Sequence, residues 1–180
     1  MKKTVFVAFV LVVVSSSMSW GYSLGLYADA AGRSCDLPAT IPVSTWYLVA
    51  TLAPGEDMQA AEFRITGLPA TWTVISETPP TGAIVIGTSA FDSTGMAIEL
   101  PSCESATPVL LLTIQVGLID ATVGTLNVID HSMPSLPCAG DPVAFGCTIF
   151  TPACAEGGEA YVNHTGCTPV PVELMHFSVE

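Results

Sequence analysis

The chain has 180 residues, of which 16 are acidic and only 4 are Lys or Arg, and half of it is hydrophobic. A surface that negative repels phosphate backbones and anionic lipid, which argues against nucleic-acid or membrane-surface binding. It attracts cations, Ca²⁺ among them, and it keeps an otherwise apolar chain in solution.

The first 23 residues read as a secretory signal peptide: Lys2 and Lys3, the unbroken apolar run Val5–Val14, then small residues at Ser15–Ser19, Gly21 and Ser23. The apolar run is about half the roughly 20 residues that a bilayer span needs, so a membrane anchor is not expected once the leader is gone. Cleavage between Ser19 and Ser23 leaves one domain of about 160 residues. Arg33 and Arg64 are then its only Lys or Arg, against 16 acids, for a net charge near −14. The expected location is the periplasm, the cell surface or the medium.

Between closely spaced prolines and glycines the chain alternates with period two, which puts one face of each segment on a core and the other in water. Strands are predicted at Leu24–Ala28 and at Val43–Leu52, where Trp46, Leu48, Ala50 and Leu52 oppose Thr45, Tyr47, Val49 and Thr51. Gly55–Ala60 reads as a single helical turn. Ala61–Thr66 alternates cleanly, with Ala61, Phe63 and Ile65 against Glu62, Arg64 and Thr66. Thr71–Val74, Ala83–Gly87 and Met96–Leu100 follow. Val109–Val116, nearly all apolar, predicts a central strand covered on both faces. Gly124–Ile129, Cys147–Phe150 and Glu159–Asn163 complete the set, and Ser132–Gly146, with three prolines and two glycines, reads as irregular. Nine or ten short strands with regular turn signals predict an all-β, antiparallel β-sandwich over residues 24–167. Residues 168–180 read as a stiff Pro-containing linker and a strand-like tail, Val172–Val179, suited to pairing with a sheet edge of its own domain or of another copy.

Six cysteines in the exported part, Cys35, Cys103, Cys138, Cys147, Cys154 and Cys167, predict three disulfides. Their spacings lack the C-x₂₋₄-C pairs of zinc sites. The pairing favoured here is Cys35–Cys103, Cys138–Cys147 and Cys154–Cys167. Joining Cys138 to Cys154 and Cys147 to Cys167 is the main alternative.

No catalytic set is visible. His131, His164 and His176 have no metal-binding spacing, and there is no G-x-S-x-G, P-loop or C-x-x-C motif. Converging carboxylates for glycoside hydrolysis remain a lesser reading. Asp29, Asp36, Asp92, Asp120, Asp130 and Asp141 stand at strand ends or turns, where Asp bonds its own backbone, and some could jointly hold Ca²⁺. Trp46 and Trp72 take the inward phase and predict core. Tyr47 and Phe91 are the aromatics available to face a ligand. Asn163-His164-Thr165 is an N-glycosylation sequon.

The segments SLGLYADAAGRSC, AAEFRITGLPATW, PSCESATPVLLLTIQV and CAEGGEAYVNHTGC resemble uncharacterised secreted, cysteine-containing β-sandwich domains of Gram-negative bacteria. The strand order is similar to cohesin-like sandwiches, whose members bind dockerin modules through one sheet face; no dockerin-contact residue carries over. The expected function is a secreted, non-catalytic extracellular module for scaffolding or adhesion, with an extracellular protein as partner. A carbohydrate-binding module using Tyr47 and Phe91, with or without calcium, is the alternative.

Overall fold

The structure is a computed structural model that describes residues 21–148 and 150–163. Residues 1–20, most of the expected signal peptide, and His164, Thr165, Cys167, His176 and the expected tail lie outside the described residues. Among the described residues every regular element is a strand: β1 (Tyr22–Tyr27), β2 (Asp36–Leu37), β3 (Val43–Leu52), β4 (Met58–Thr66), β5 (Thr73–Thr78), β6 (Ile84–Ile86), β7 (Met96–Glu104), β8 (Val109–Gly117), β9 (Gly124–Ile129), β10 (Val143–Phe145), β11 (Pro152–Cys154), β12 (Glu156–Gly157) and β13 (Glu159–Val162). No helix among the described residues is long and apolar enough to cross a membrane.

Two sheets face each other. One runs β12-β1-β3-β8-β5; the other runs β11-β10-β4-β9-β13-β2, with β7 on the far side of β4 and β6 beyond it. The inward phases of the alternating strands meet between them: Trp46 and Leu48 from β3 and Phe63 and Ile65 from β4 join Ile98, Ile114 and Val116 in one buried cluster. Trp46 and Trp72 pack with ring centroids 6.0 Å apart. β4 is shared along its length: β10 takes Ala60–Glu62, and β9 takes Arg64–Thr66 on the stretch that follows. That handover needs a close approach at Gly67, where a Cβ would lie 2.0 Å from the Thr125 carbonyl oxygen, so only glycine fits.

Several expectations are corrected. The expected all-β sandwich is present and its strands pair antiparallel, apart from the two-residue pairs β1–β12 and β13–β2, which are parallel. The turn Pro54–Gly55 leads straight into β4 at Met58, so Gly55–Ala60 forms no helical turn. Cys147–Phe150 is not a strand; the strand lies earlier, at Val143–Phe145, inside the stretch expected to be irregular. Its three residues find backbone partners on both β4 and β11, which outweighs the local Pro/Gly signal. β8 is buried on one face only, because Gln115 points into solvent next to the edge strand β5.

The favoured disulfide pairing is also overturned. Cys103 bonds Cys147 and Cys138 bonds Cys154, with Cα–Cα separations of 5.7 and 5.4 Å. Neither Cys35–Cys103, Cys138–Cys147 nor Cys154–Cys167 is therefore formed. Of the alternative set, Cys138–Cys154 is present and Cys147–Cys167 is not. Sequence neighbours lost because β10 and β11 form an antiparallel pair, in which Val143 faces Cys154 and not Cys147. Cys35 is itself disulfide-bonded.

Candidate functional site

The outward face of the second sheet carries a groove of about 220 Å³ over β6, β7, β4 and β10. Two cross-strand rows build it. Ile84, Glu99, Ala60 and Phe145 form one, and Ile86, Ala97 and Glu62 the other, which runs on to Val143 buried beneath the segment around Leu136. Residues paired across antiparallel strands share a face, so large apolar side chains stand at the margins and alanines in the middle. The small central residues make the floor concave.

On one margin, Ile84 and Ile86 are 60% and 69% exposed on the free edge strand β6. On the other, Phe145 stacks on Phe150 at 4.9 Å. The segment from Leu136 to Cys138 packs over Val143 and Phe145 in a second apolar cluster, outside the main core. Both disulfides lie on this side. Cys103–Cys147 ties the end of β7 to the loop leading to Phe150, and Cys138–Cys154 ties the covering segment to β11.

The floor's polar groups are two carboxylates. Glu62 accepts hydrogen bonds from the backbone N–H and the hydroxyl of Ser135. Glu99 is exposed, one strand over and diagonal to Glu62, about 7 Å away by strand geometry. Just past them on β4, Arg64 pairs with Asp130 at 3.6 Å and donates to the Ser93 carbonyl. The groove thus offers apolar contact and negative charge.

The aromatics singled out in the sequence are not brought together. Tyr47 is half-buried on the outward face of the other sheet, paired with Tyr27. Phe91 packs against the core and lines a separate cleft with Arg64, Leu68 and Trp72. The aspartates are spread over turns. Asp29 accepts from the backbone of Ala31, Asp92 from Thr88, Asp141 from Gly157, and Asp120 from Trp72 Nε1 and from Thr122. Those last bonds hold the Asp120 carboxyl below its ordinary range, Thr122 contributing most. Among the described residues the one group of metal-type donors close together is Asp57, Cys103 and Cys147, two of which are joined in a disulfide.

A second, more open cleft holds Tyr22, Glu56 and Asp57. The Tyr22 hydroxyl donates to Glu56 and to the Asp57 carbonyl, and burial, then the Glu56 charge, pushes it up to about 12. Asp57 Oδ1 in turn accepts the Cys147 N–H at 2.8 Å. These bonds anchor the loop behind Phe150.

Sequence reasoning missed the groove. Its one available signal was the apolar run Ile84-Val85-Ile86 inside the predicted strand Ala83–Gly87, which is exposed on the edge strand β6.

No family model and no curated protein matches the chain. Solved structures do, at low identity. A cohesin module from a Clostridium perfringens family 33 glycoside hydrolase aligns at TM-score 0.57 and 8% identity, over 79% of this chain and 96% of its own. The sixth cohesin of Acetivibrio cellulolyticus scaffoldin B, solved in complex with a dockerin mutant, gives TM-score 0.52 and 10% identity, over 79% and 98%. A type I cohesin–dockerin complex from Clostridium thermocellum gives 0.50 and 7%, over 78% and 98%. At such identities the likeness establishes a cohesin-like β-sandwich and nothing finer.

Proposed function

We propose that the chain is an exported, non-catalytic docking module whose groove over β6, β7, β4 and β10 receives a protein partner. The observation that carries this reading is the pair of cross-strand rows: bulky apolar residues at both margins, alanines between them, and Glu62 and Glu99 on the floor. A partner presenting an apolar anchor beside Lys or Arg complements that surface. Soluble domains rarely leave a run such as Ile84-Val85-Ile86 on an open edge without a use for it. Two of the structural neighbours are cohesins crystallised with dockerins, which supports a protein partner. The leader and the disulfides support export.

The test is capture of exported proteins on the immobilised domain, compared with the variants Ala97→Arg and Ile86→Asp. Ala97 is half-buried on the floor and Ile86 lies on the margin, so both changes block the groove while leaving the core intact. A partner retained by the native domain and lost from both variants, with unchanged melting temperature, supports docking in the groove. Equal retention by all three removes it.

A further inference from the structure

On the opposite side of the molecule, the outward face of β3, β8 and β5 carries no charged residue. Its cross-strand rows are Thr45, Gln115 and Ser76; Tyr47, Thr113 and Thr78; and Val43, Gly117 and Thr73. By contrast, the outward positions of β4 and β7 include Glu62, Arg64 and Glu99. In a domain with so many acids, a three-strand face without one is an asymmetry that solubility does not require.

We propose that this face binds a neutral polysaccharide. Sugar rings offer hydroxyls that donate and accept, together with apolar C–H faces. The platform matches both. Four threonines and Ser76 supply hydroxyls, and Gln115 supplies an amide whose Oε1 accepts the Ser76 hydroxyl at 3.2 Å. That contact orients the amide and leaves its two N–H donors for a ligand. Tyr47 offers a half-buried ring, kept in place by Tyr27 and Leu110 of a small cluster beside it. Val43 and Ile75, 41% and 54% exposed around Gly117, provide an apolar lip. Adjacent strands stand about 4.8 Å apart, so the three strands present polar groups at intervals close to the size of one sugar ring. The domain's negative field repels acidic polymers and leaves neutral ones unaffected.

The test is native affinity electrophoresis in gels containing hydroxyethylcellulose or galactomannan, with polygalacturonate as the acidic comparison. The native domain is expected to be retarded by a neutral polymer and not by polygalacturonate. Tyr47→Ala should weaken association about three- to tenfold, the range expected for one aromatic contact. Gln115→Ala, at an exposed position, should weaken it without affecting the fold. The groove variant Ala97→Arg should bind polysaccharide normally, which separates this site from the docking groove. Unchanged mobility in both neutral polymers overturns the proposal, as does retardation that survives Tyr47→Ala and Gln115→Ala combined.

Discussion

Glu62 on β4 holds Ser135 through both carboxylate oxygens, accepting the backbone N–H at 2.8 Å and the hydroxyl at 2.6 Å across 73 positions of sequence. This contact fastens the covering segment to the groove floor. Glu62→Ala removes both bonds and is expected to lower stability by about 1–2 kcal/mol, whereas Ser135→Ala, which keeps the N–H bond, should cost about half that. Urea unfolding of the two variants checks the order. Equal midpoints in both variants and the native domain would show that the contact is not formed in solution.

The disulfides make a second prediction. Four cysteines pair among themselves and Cys35 is bonded, so peptide mapping without reduction is expected to link Cys35 to Cys167. The topology supports this, because β2 beside Cys35 pairs with β13, which ends five residues before Cys167. In the chain-entropy view, replacing Cys103 and Cys147 by serine costs roughly 4 kcal/mol, and replacing Cys138 and Cys154 roughly 3. A Cys35–Cys103 peptide would contradict the whole arrangement.

Tyr22 bears on the proposed cleavage of a leader and gives the domain a response to alkali. Its ring is buried, its hydroxyl holds the Asp57 carbonyl, and Ala53 N–H donates to the Gly21 carbonyl. N-terminal sequencing of the exported protein is therefore expected to find the mature end at or before Gly21. The hydroxyl is raised from 10.0 to about 12, so folding favours the neutral phenol. That contribution is complete below pH 10 and disappears as pH rises from 10 to 12. Unfolding midpoints should fall across this window, and less so in Tyr22→Phe.

Acid acts at the other end of the molecule. Trp72 Nε1 donates to Asp120 Oδ1 at 2.8 Å, and the carboxyl sits below its ordinary 3.8. A lowered value means that the ionised form is favoured by folding, so its contribution is present above pH 3.8 and is lost as pH falls through the lower folded value. Tryptophan emission should shift in that acid range. Asp120→Asn, which keeps an acceptor and does not titrate, should remove the shift.

Much of the architecture was legible from local pattern. Period-two alternation located β3, β4 and β7 to within a few residues, because one face of each is buried and a slip by one residue would turn Trp46 or Phe63 into water. The same pattern placed Trp46 and Trp72 in the core. Short strands escaped it. β2, β10, β11 and β12 have two or three residues each, too few for a period, and exist because a partner strand lies alongside.

Composition and alternation were enough to specify a β-sandwich, since burial on one face is a property of each segment alone. The disulfide partners, the parallel β1–β12 and β2–β13 pairs and the groove are properties of pairs of segments far apart in the chain. Ile84 and Ile86 have the composition of core residues and lie in water because β6 is an edge. Val143 and Phe145 are on an outward face and are dry because the segment around Leu136 covers them. Exposure at these positions depends on which strand is last in the sheet and which loop folds over it, and only the assembled topology supplies that information.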